Sequence, residues 1–331
     1  MTIFNEGAYH QALSTQVEAA RRPIPGRETT ALCHRAETGE TALKGGLAMH
    51  NTFRRTLPLL FLISGTGVAL AQTLPTTQPN MITIAREEVK VGRTADHQKI
   101  EAGWPAAFEK AKSPYYYLAL VSTTGPAEAW YISAFESNAA IGDSLKREDS
   151  DPVLSAELAR LQRADADVVS GVRSMQASAR KDLSFGTFPD IAKERFFEIT
   201  WFRVRPGHEA QFEAAGKAYG ASAKRADVKA SYRVYEIVAG VPGPTYLIIS
   251  SVPSYADFDG MTAEGEKTMK GFTADEGTAM QKFMLEGVLN IETQRFKLDP
   301  VQSYVPKEVR AQDPAFWMPK KPAVAKPSTQ Q

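Results

Sequence analysis

The sequence predicts an α+β protein. One unit, read as strand, helix, strand, strand, helix, strand, occurs twice, and the two copies close into a single barrel. Three observations predict this. The chain has 331 residues, 43% hydrophobic and 23% charged, which excludes a disordered or fibrous protein. Short β-branched and aromatic runs alternate with stretches of helical periodicity. Matching runs recur at a nearly constant offset. Tyr-Tyr-Tyr-Leu-Ala-Leu-Val from Tyr115 and Tyr-Arg-Val-Tyr-Glu-Ile-Val from Tyr232 lie 117 residues apart (115 to 232). Ala129-Trp-Tyr-Ile-Ser133 and Tyr246-Leu-Ile-Ile-Ser250 keep that offset, and Gly171-Val172 precedes Gly287-Val288 by 116 (171 to 287).

Ahead of the first copy lies a targeting signal. Met49-His-Asn-Thr-Phe-Arg54-Arg55 is short and basic, and the apolar run that follows from Leu57 ends in Ala69-Leu-Ala71. This is the pattern of a secretory signal peptide over 49–71, cleaved between Ala71 and Gln72. The run is too short to span a bilayer, which takes roughly 20 residues. The Arg pair leaves both a general secretory and a twin-arginine route open, and Pro58 favours the first. Residues 1–48 then read as an extension upstream of the true start at Met49. The one cysteine, Cys33, lies in that extension, so the mature chain has no thiol for catalysis, disulfides or metal binding. The expected location is periplasmic or secreted.

Residues 72–80 are rich in Thr, Pro and Gln and read as a flexible leader. The first copy, 81–183, opens on Glu88-Val-Lys-Val91-Gly. Ile100, Trp104, Ala107, Phe108 and Ala111 then give an amphipathic spacing, and Pro105 is expected to kink or restart that helix. Asp151-Pro152 is an N-cap followed by proline at the first helical position. Leu154, Leu158, Leu161, Val168 and Val172 continue the stripe. Residues 184–194 link the copies. The second copy, 195–298, opens on Trp201-Phe-Arg-Val204-Arg-Pro-Gly207-His208 and continues with Phe212, Ala215 and Tyr219. Ser254-x-x-Asp257 and Thr273-x-x-Glu276 resemble capping boxes, with Phe258, Met261, Met280, Phe283 and Met284 as the buried stripe. The tail, 299–331, is expected to pack its aromatics on the barrel as far as Pro319.

A four-stranded sheet with helices on one face leaves the other bare, and an exposed apolar sheet of that size aggregates. Two such sheets must therefore cover each other. The element order, with Phe-Arg-Val-Arg-Pro-Gly-His-Glu-Ala-Gln-Phe leading from strand into helix, resembles the dimeric α/β-barrel superfamily. That group includes antibiotic-biosynthesis-monooxygenase-like and NIPSNAP-like domains. The resemblance spans about 81–298 and implies tandem ferredoxin-like repeats forming an intrachain pseudo-dimeric α/β barrel. A folded monomer is then expected, because the second half is held near the first at millimolar effective concentration.

Function is less legible. Lys+Arg 39 against Asp+Glu 38 gives a net charge of +1, so no basic field marks a nucleic-acid partner, and no membrane partner is expected after cleavage. No nucleophile elbow, phosphate loop, His-Glu-x-x-His or dinucleotide fingerprint occurs. His97 and His208, the mature histidines, read as partly exposed residues of first helical turns without carboxylate partners, so no metal and no cofactor is expected. Some barrels of the resembling group bind haem through a late-helix histidine, which this chain lacks. Strand alternation puts Val89, Val91, Phe202 and Val204 under the helices. Arg86, Glu88 and Lys90, with Ile199, Trp201 and Arg203, then face the other way, into the barrel, where charges need partners or a ligand. Tyr116, Trp130, Arg233 and Tyr235 are candidates for the same cavity. The expected function is an exported small-molecule-binding or accessory protein. The alternative is a cofactor-independent oxygenase-like or isomerase-like enzyme acting in the cavity.

Overall fold

The computed structural model describes residues 74–319. The upstream extension, the signal peptide and its Ala71–Gln72 cleavage site lie outside the described residues. The strands are β1 Met81–Val89, β2 Tyr117–Ser122, β3 Glu128–Phe135, β4 Val169–Ala179, β5 Phe196–Val204, β6 Arg233–Ala239, β7 Thr245–Val252 and β8 Val288–Tyr304. They form one closed barrel in the order β1-β3-β2-β8-β5-β7-β6-β4, antiparallel throughout. The first four strands run β4-β1-β3-β2 and the last four β8-β5-β7-β6, so both halves have the same order. The seams between the halves, β2–β8 and β4–β6, each carry a register irregularity. Closure satisfies the backbone groups that an open sheet leaves unpaired.

Helices cover the outside. In the first half these are α1 Thr94–Glu101, α2 Gly103–Lys110, α3 Asn138–Ser150 and α4 Pro152–Asp165. The second half has α5 Glu209–Arg225, α6 Asp257–Lys270 and α7 Ala274–Lys282. A π-turn, Phe283–Gly287, leads into β8. Pro105 does restart the helix: it sits in the first turn of α2, where a missing N–H removes no helical bond. Asp151 caps α4, accepting from the amides of Val153 and Leu154 ahead of Pro152. Thr273 and Glu276 form the reciprocal capping box of α7. Ser254 donates to Asp257, but α6 begins only at Asp257, so this pair lies ahead of the helix instead of capping it.

The barrel interior is one apolar cluster that includes Ile82, Ile84, Leu120, Trp130, Ile199, Trp201, Leu247, Phe296 and Leu298. Between β-sheet and helices, the second half packs Phe202, Phe212, Tyr246 and Phe283, with Phe212 and Tyr246 stacked at 4.0 Å. The tail seals one end of the barrel. β8 runs on past Leu298 to Tyr304, and two short helices follow, α8 Lys307–Gln312 and α9 Pro314–Trp317. Trp317 is buried in the interior cluster, its indole N–H donating to the Ala192 carbonyl, and Arg195 lies 3.8 Å over the Phe316 ring.

Several expectations are corrected. Residues 74–80 are not a free tether: Gln78 and Pro79 are buried, and the Gln78 amide donates to the Val234 carbonyl. α4 stops at Asp165, and Val172 belongs to β4, where it is exposed. Val91 is fully exposed, because β1 ends at Val89 and the chain turns at Gly92.

Candidate functional site

The alternation predicted for β5 holds. Ile199 and Trp201 face the interior and Phe202 and Val204 lie under helices. The nine candidate residues do not form one constellation. Glu88, Lys90 and Arg203 are exposed at strand ends, and the Lys90 amine reaches the carbonyls of Ala166 and Asp167. The remaining six divide between two places in the barrel.

Arg86, Trp130 and Trp201 meet inside. The Arg86 guanidinium lies 5.5 Å from the Trp130 ring centroid and 5.7 Å from that of Trp201. It ion-pairs with Glu128, which also accepts from the Trp130 indole N–H at 2.9 Å. Glu128 is 2% exposed, so this buried pair is matched within the protein and needs no ligand charge. Sequence reading found Arg86 but missed Glu128, which ends up opposite Glu88 in the β1–β3 register.

Arg233, Tyr235 and Tyr116 line a cavity of about 100 Å³ at the mouth where β1, β2, β5 and β6 begin. Its other walls are almost wholly apolar and include Leu74, Leu118, Ile132, Phe188 and Phe197. The leader and the segment between the halves, at Leu74, Pro79, Phe188 and Ile191, close it over. Arg233 is 9% exposed and has no carboxylate within ion-pair distance among the described residues. Its terminal nitrogens donate to the carbonyls of Phe185 and Gly186, both at 2.9 Å, while its Nε has no partner. Burial holds the guanidinium below its usual range and pushes the Tyr235 phenol up.

A third cluster lies outside the barrel wall, between β1 and the first-half helices. The His97 ring nitrogen Nε2 is 2.9 Å from Glu87 Oε2, and Glu101 lies one helical turn beyond. The expectation of a partly exposed histidine without carboxylate partners fails here, since His97 is 2% exposed. The signal was in the sequence: His97 and Glu101 stand at i and i+4 of one helix, on the same face. Glu87 arrives from β1, where it shares the helix-covered side with Val89. Burial first, and then the charge of Glu87, push the Glu101 carboxyl up to about 9; Asp165 beside it is also raised, chiefly by burial. His208 is half-buried, its Nδ1 hydrogen-bonded to Gln211 at 2.7 Å.

A closed eight-stranded antiparallel barrel with outer helices, its two halves sharing one strand order, is a mixed α+β fold. No family model matches the chain, and no curated protein matches it. Solved structures do. A monooxygenase-like protein of Fusobacterium nucleatum subsp. nucleatum aligns over 67% of this chain and 93% of its own, with TM-score 0.45 and 8% identity. An anthrone oxidase-like protein aligns over 67% and 92%, with TM-score 0.43 and 11% identity. A mutant chlorite dismutase from Candidatus Nitrospira defluvii aligns over 71% and 96%, with TM-score 0.42 and 10% identity.

Proposed function

We propose that the protein binds a small, mainly apolar molecule at the barrel mouth and that Arg233 meets an acceptor or anionic group on it. The carrying observation is the state of Arg233: a buried cation in an apolar wall, without a carboxylate and with Nε unpartnered. A buried charge without a counter-charge is costly, and a ligand carboxylate or phenolate would offset that cost. The cavity suits something near one small ring in size, since about 150 Å³ of apolar cavity holds benzene.

This reading includes export through the 49–71 signal, and descent of the two halves from one duplicated ferredoxin-like unit. It also takes the chain to close its barrel alone as a monomer, with neither nucleic acid nor membrane as partner. The common strand order of the halves and the near-constant sequence offset support the duplication. A second reading is cofactor-independent oxygenase-like or isomerase-like chemistry on the bound molecule. It is favoured by Tyr235 and Arg233 lining the same cavity, where a phenol and a cation can hold a developing oxyanion.

Ligand-observed NMR with the full chain tests the binding reading, using small aromatic and aliphatic carboxylates beside their neutral amides. The expected result is retention of carboxylates, with at least a tenfold loss in Arg233→Met. Equal binding of the neutral set, or of the variant, would sink it. Product formation from a retained compound in air, followed by mass spectrometry and lost in Tyr235→Phe, would select the catalytic reading.

A further inference from the structure

Aromatic rings pack between sheet and helices in both halves, and the first half has Trp104 and Phe108 stacked beside Tyr304. In the second half Phe212 stacks on Tyr246. The first half also holds a polar cluster: α1 turns His97 and Glu101 inward, each 2% exposed, onto Glu87 of β1, whose side chain is 12% exposed. Asp165, at the end of α4, completes the group and is 6% exposed. Three carboxyl groups thus share one imidazole, and no lysine or arginine pairs with them among the described residues. Glu101 Oε1 and both carboxylate oxygens of Asp165 are buried without a well-formed hydrogen bond, with each other and the side chains of Tyr131 and Trp104 at hand. Buried carboxyl oxygens are ordinarily satisfied more fully than this, so the cluster has capacity for a further partner. His97, alone of the four, also lines a groove of about 610 Å³ with Gln98, Glu128 and Asp299.

We propose that Glu87, His97 and Glu101 form a site for one divalent transition cation of the Mn²⁺ or Zn²⁺ class, with Asp165 at its edge. One ligand atom from each of the three lies within 4.8 Å of the others. Around an ion with bonds near 2.0–2.2 Å, ligand atoms stand roughly 3–4 Å apart, so side-chain rotation alone closes the set. An imidazole with two carboxylates suits Mn²⁺, Fe²⁺ or Zn²⁺, whereas Mg²⁺ and Ca²⁺ take oxygen ligands. The cation would supply the positive charge that the cluster lacks and replace the His97–Glu87 hydrogen bond with two coordinate bonds. This site stands apart from the mouth cavity and does not rest on its reading.

The test is isothermal titration of the chelator-treated full chain with Mn²⁺, Zn²⁺ and Mg²⁺. Mn²⁺ or Zn²⁺ should bind at one equivalent, and Mg²⁺ at least tenfold more weakly. His97→Gln and Glu101→Gln should each weaken binding at least tenfold. Glu101→Gln keeps the shape of the neutral carboxyl, so its far-ultraviolet dichroism should match the wild type. His208→Gln and Cys33→Ser should leave the isotherm unchanged. Absence of Mn²⁺ and Zn²⁺ uptake by the wild type would overturn the proposal, as would uptake indifferent to both cluster substitutions. Either result would leave a proton-sharing carboxyl network in place of a metal site.

Discussion

The guanidinium of Arg86 lies 5.5 Å from the ring centroid of Trp130, and both side chains donate to the carboxylate of Glu128. One acid thus holds a cation and an indole in the barrel interior. Removing the acid strands the cation: Glu128→Ala should cost about 3–5 kcal/mol, the range for a buried ion pair broken from one side. Glu128→Ala combined with Arg86→Met should recover most of that loss, because no unpaired charge is left. Urea unfolding of the single and double variants measures both values. A single variant as stable as the wild type would show that water already reaches Arg86.

At the β4–β6 seam, Gly240 has φ +100°, and a Cβ there would lie 2.2 Å from the Ser174 carbonyl oxygen. Gly240→Ala therefore meets a conformational penalty and a backbone clash together. The first alone is about 1–2 kcal/mol, so the total should exceed it. Amide exchange should localise the damage, with β4 and β6 losing protection before β5 and β8.

Trp317 anchors the tail on the interior cluster. Trp317→Ala should destabilise by about 3–5 kcal/mol, as for other buried aromatics cut to alanine. A chain ending at Asp313 should unfold at lower urea than this variant, since it also loses the Phe316 ring over Arg195. Equal midpoints would mean that Phe316 contributes nothing measurable.

The pH dependence of stability should carry a signature of Glu194. It is 8% exposed, its Oε2 lacks a hydrogen-bond partner, and burial raises its carboxyl above the usual range. The folded chain therefore holds this proton more tightly than the unfolded chain. That stabilisation is complete below the unfolded carboxylate value, about 4.3, and declines as pH rises through the folded one. Glu194→Gln should flatten this decline and be the more stable protein at pH 7. A decline of the same slope in both would clear Glu194 of any part in it.

Local signals were legible where one element decides them. The Asp151 cap, the Thr273–Glu276 box and the helix restart at Pro105 each need only neighbouring residues, and each stands in the structure. The period of two placed Ile199 and Trp201 inside and Phe202 outside, since register along one strand carries the face. It failed at Val91 because periodicity does not announce where a strand ends. Val172 was misread because an apolar residue four positions after Val168 fits a helix as well as a strand. The candidate sites were legible only in part. Arg86 was legible as a charge on a barrel-facing strand side and Arg233 as a candidate for the cavity, but Glu128 comes from another strand and the carbonyls of Phe185 and Gly186 from a loop. His97 and Glu101 share a helix face, whereas Glu87 and Asp165 join them through packing that no local spacing encodes.

A barrel assembled from two identical subunits must repeat every change of residue on both sides of its axis. Carrying both halves on one chain lifts that constraint. Both flanks pack aromatic rings, but only one of them also keeps His97 among carboxyls. A substitution that favours chemistry on one flank is then not forced on the flank that holds the molecule together. A single chain with both halves is free to divide its labour.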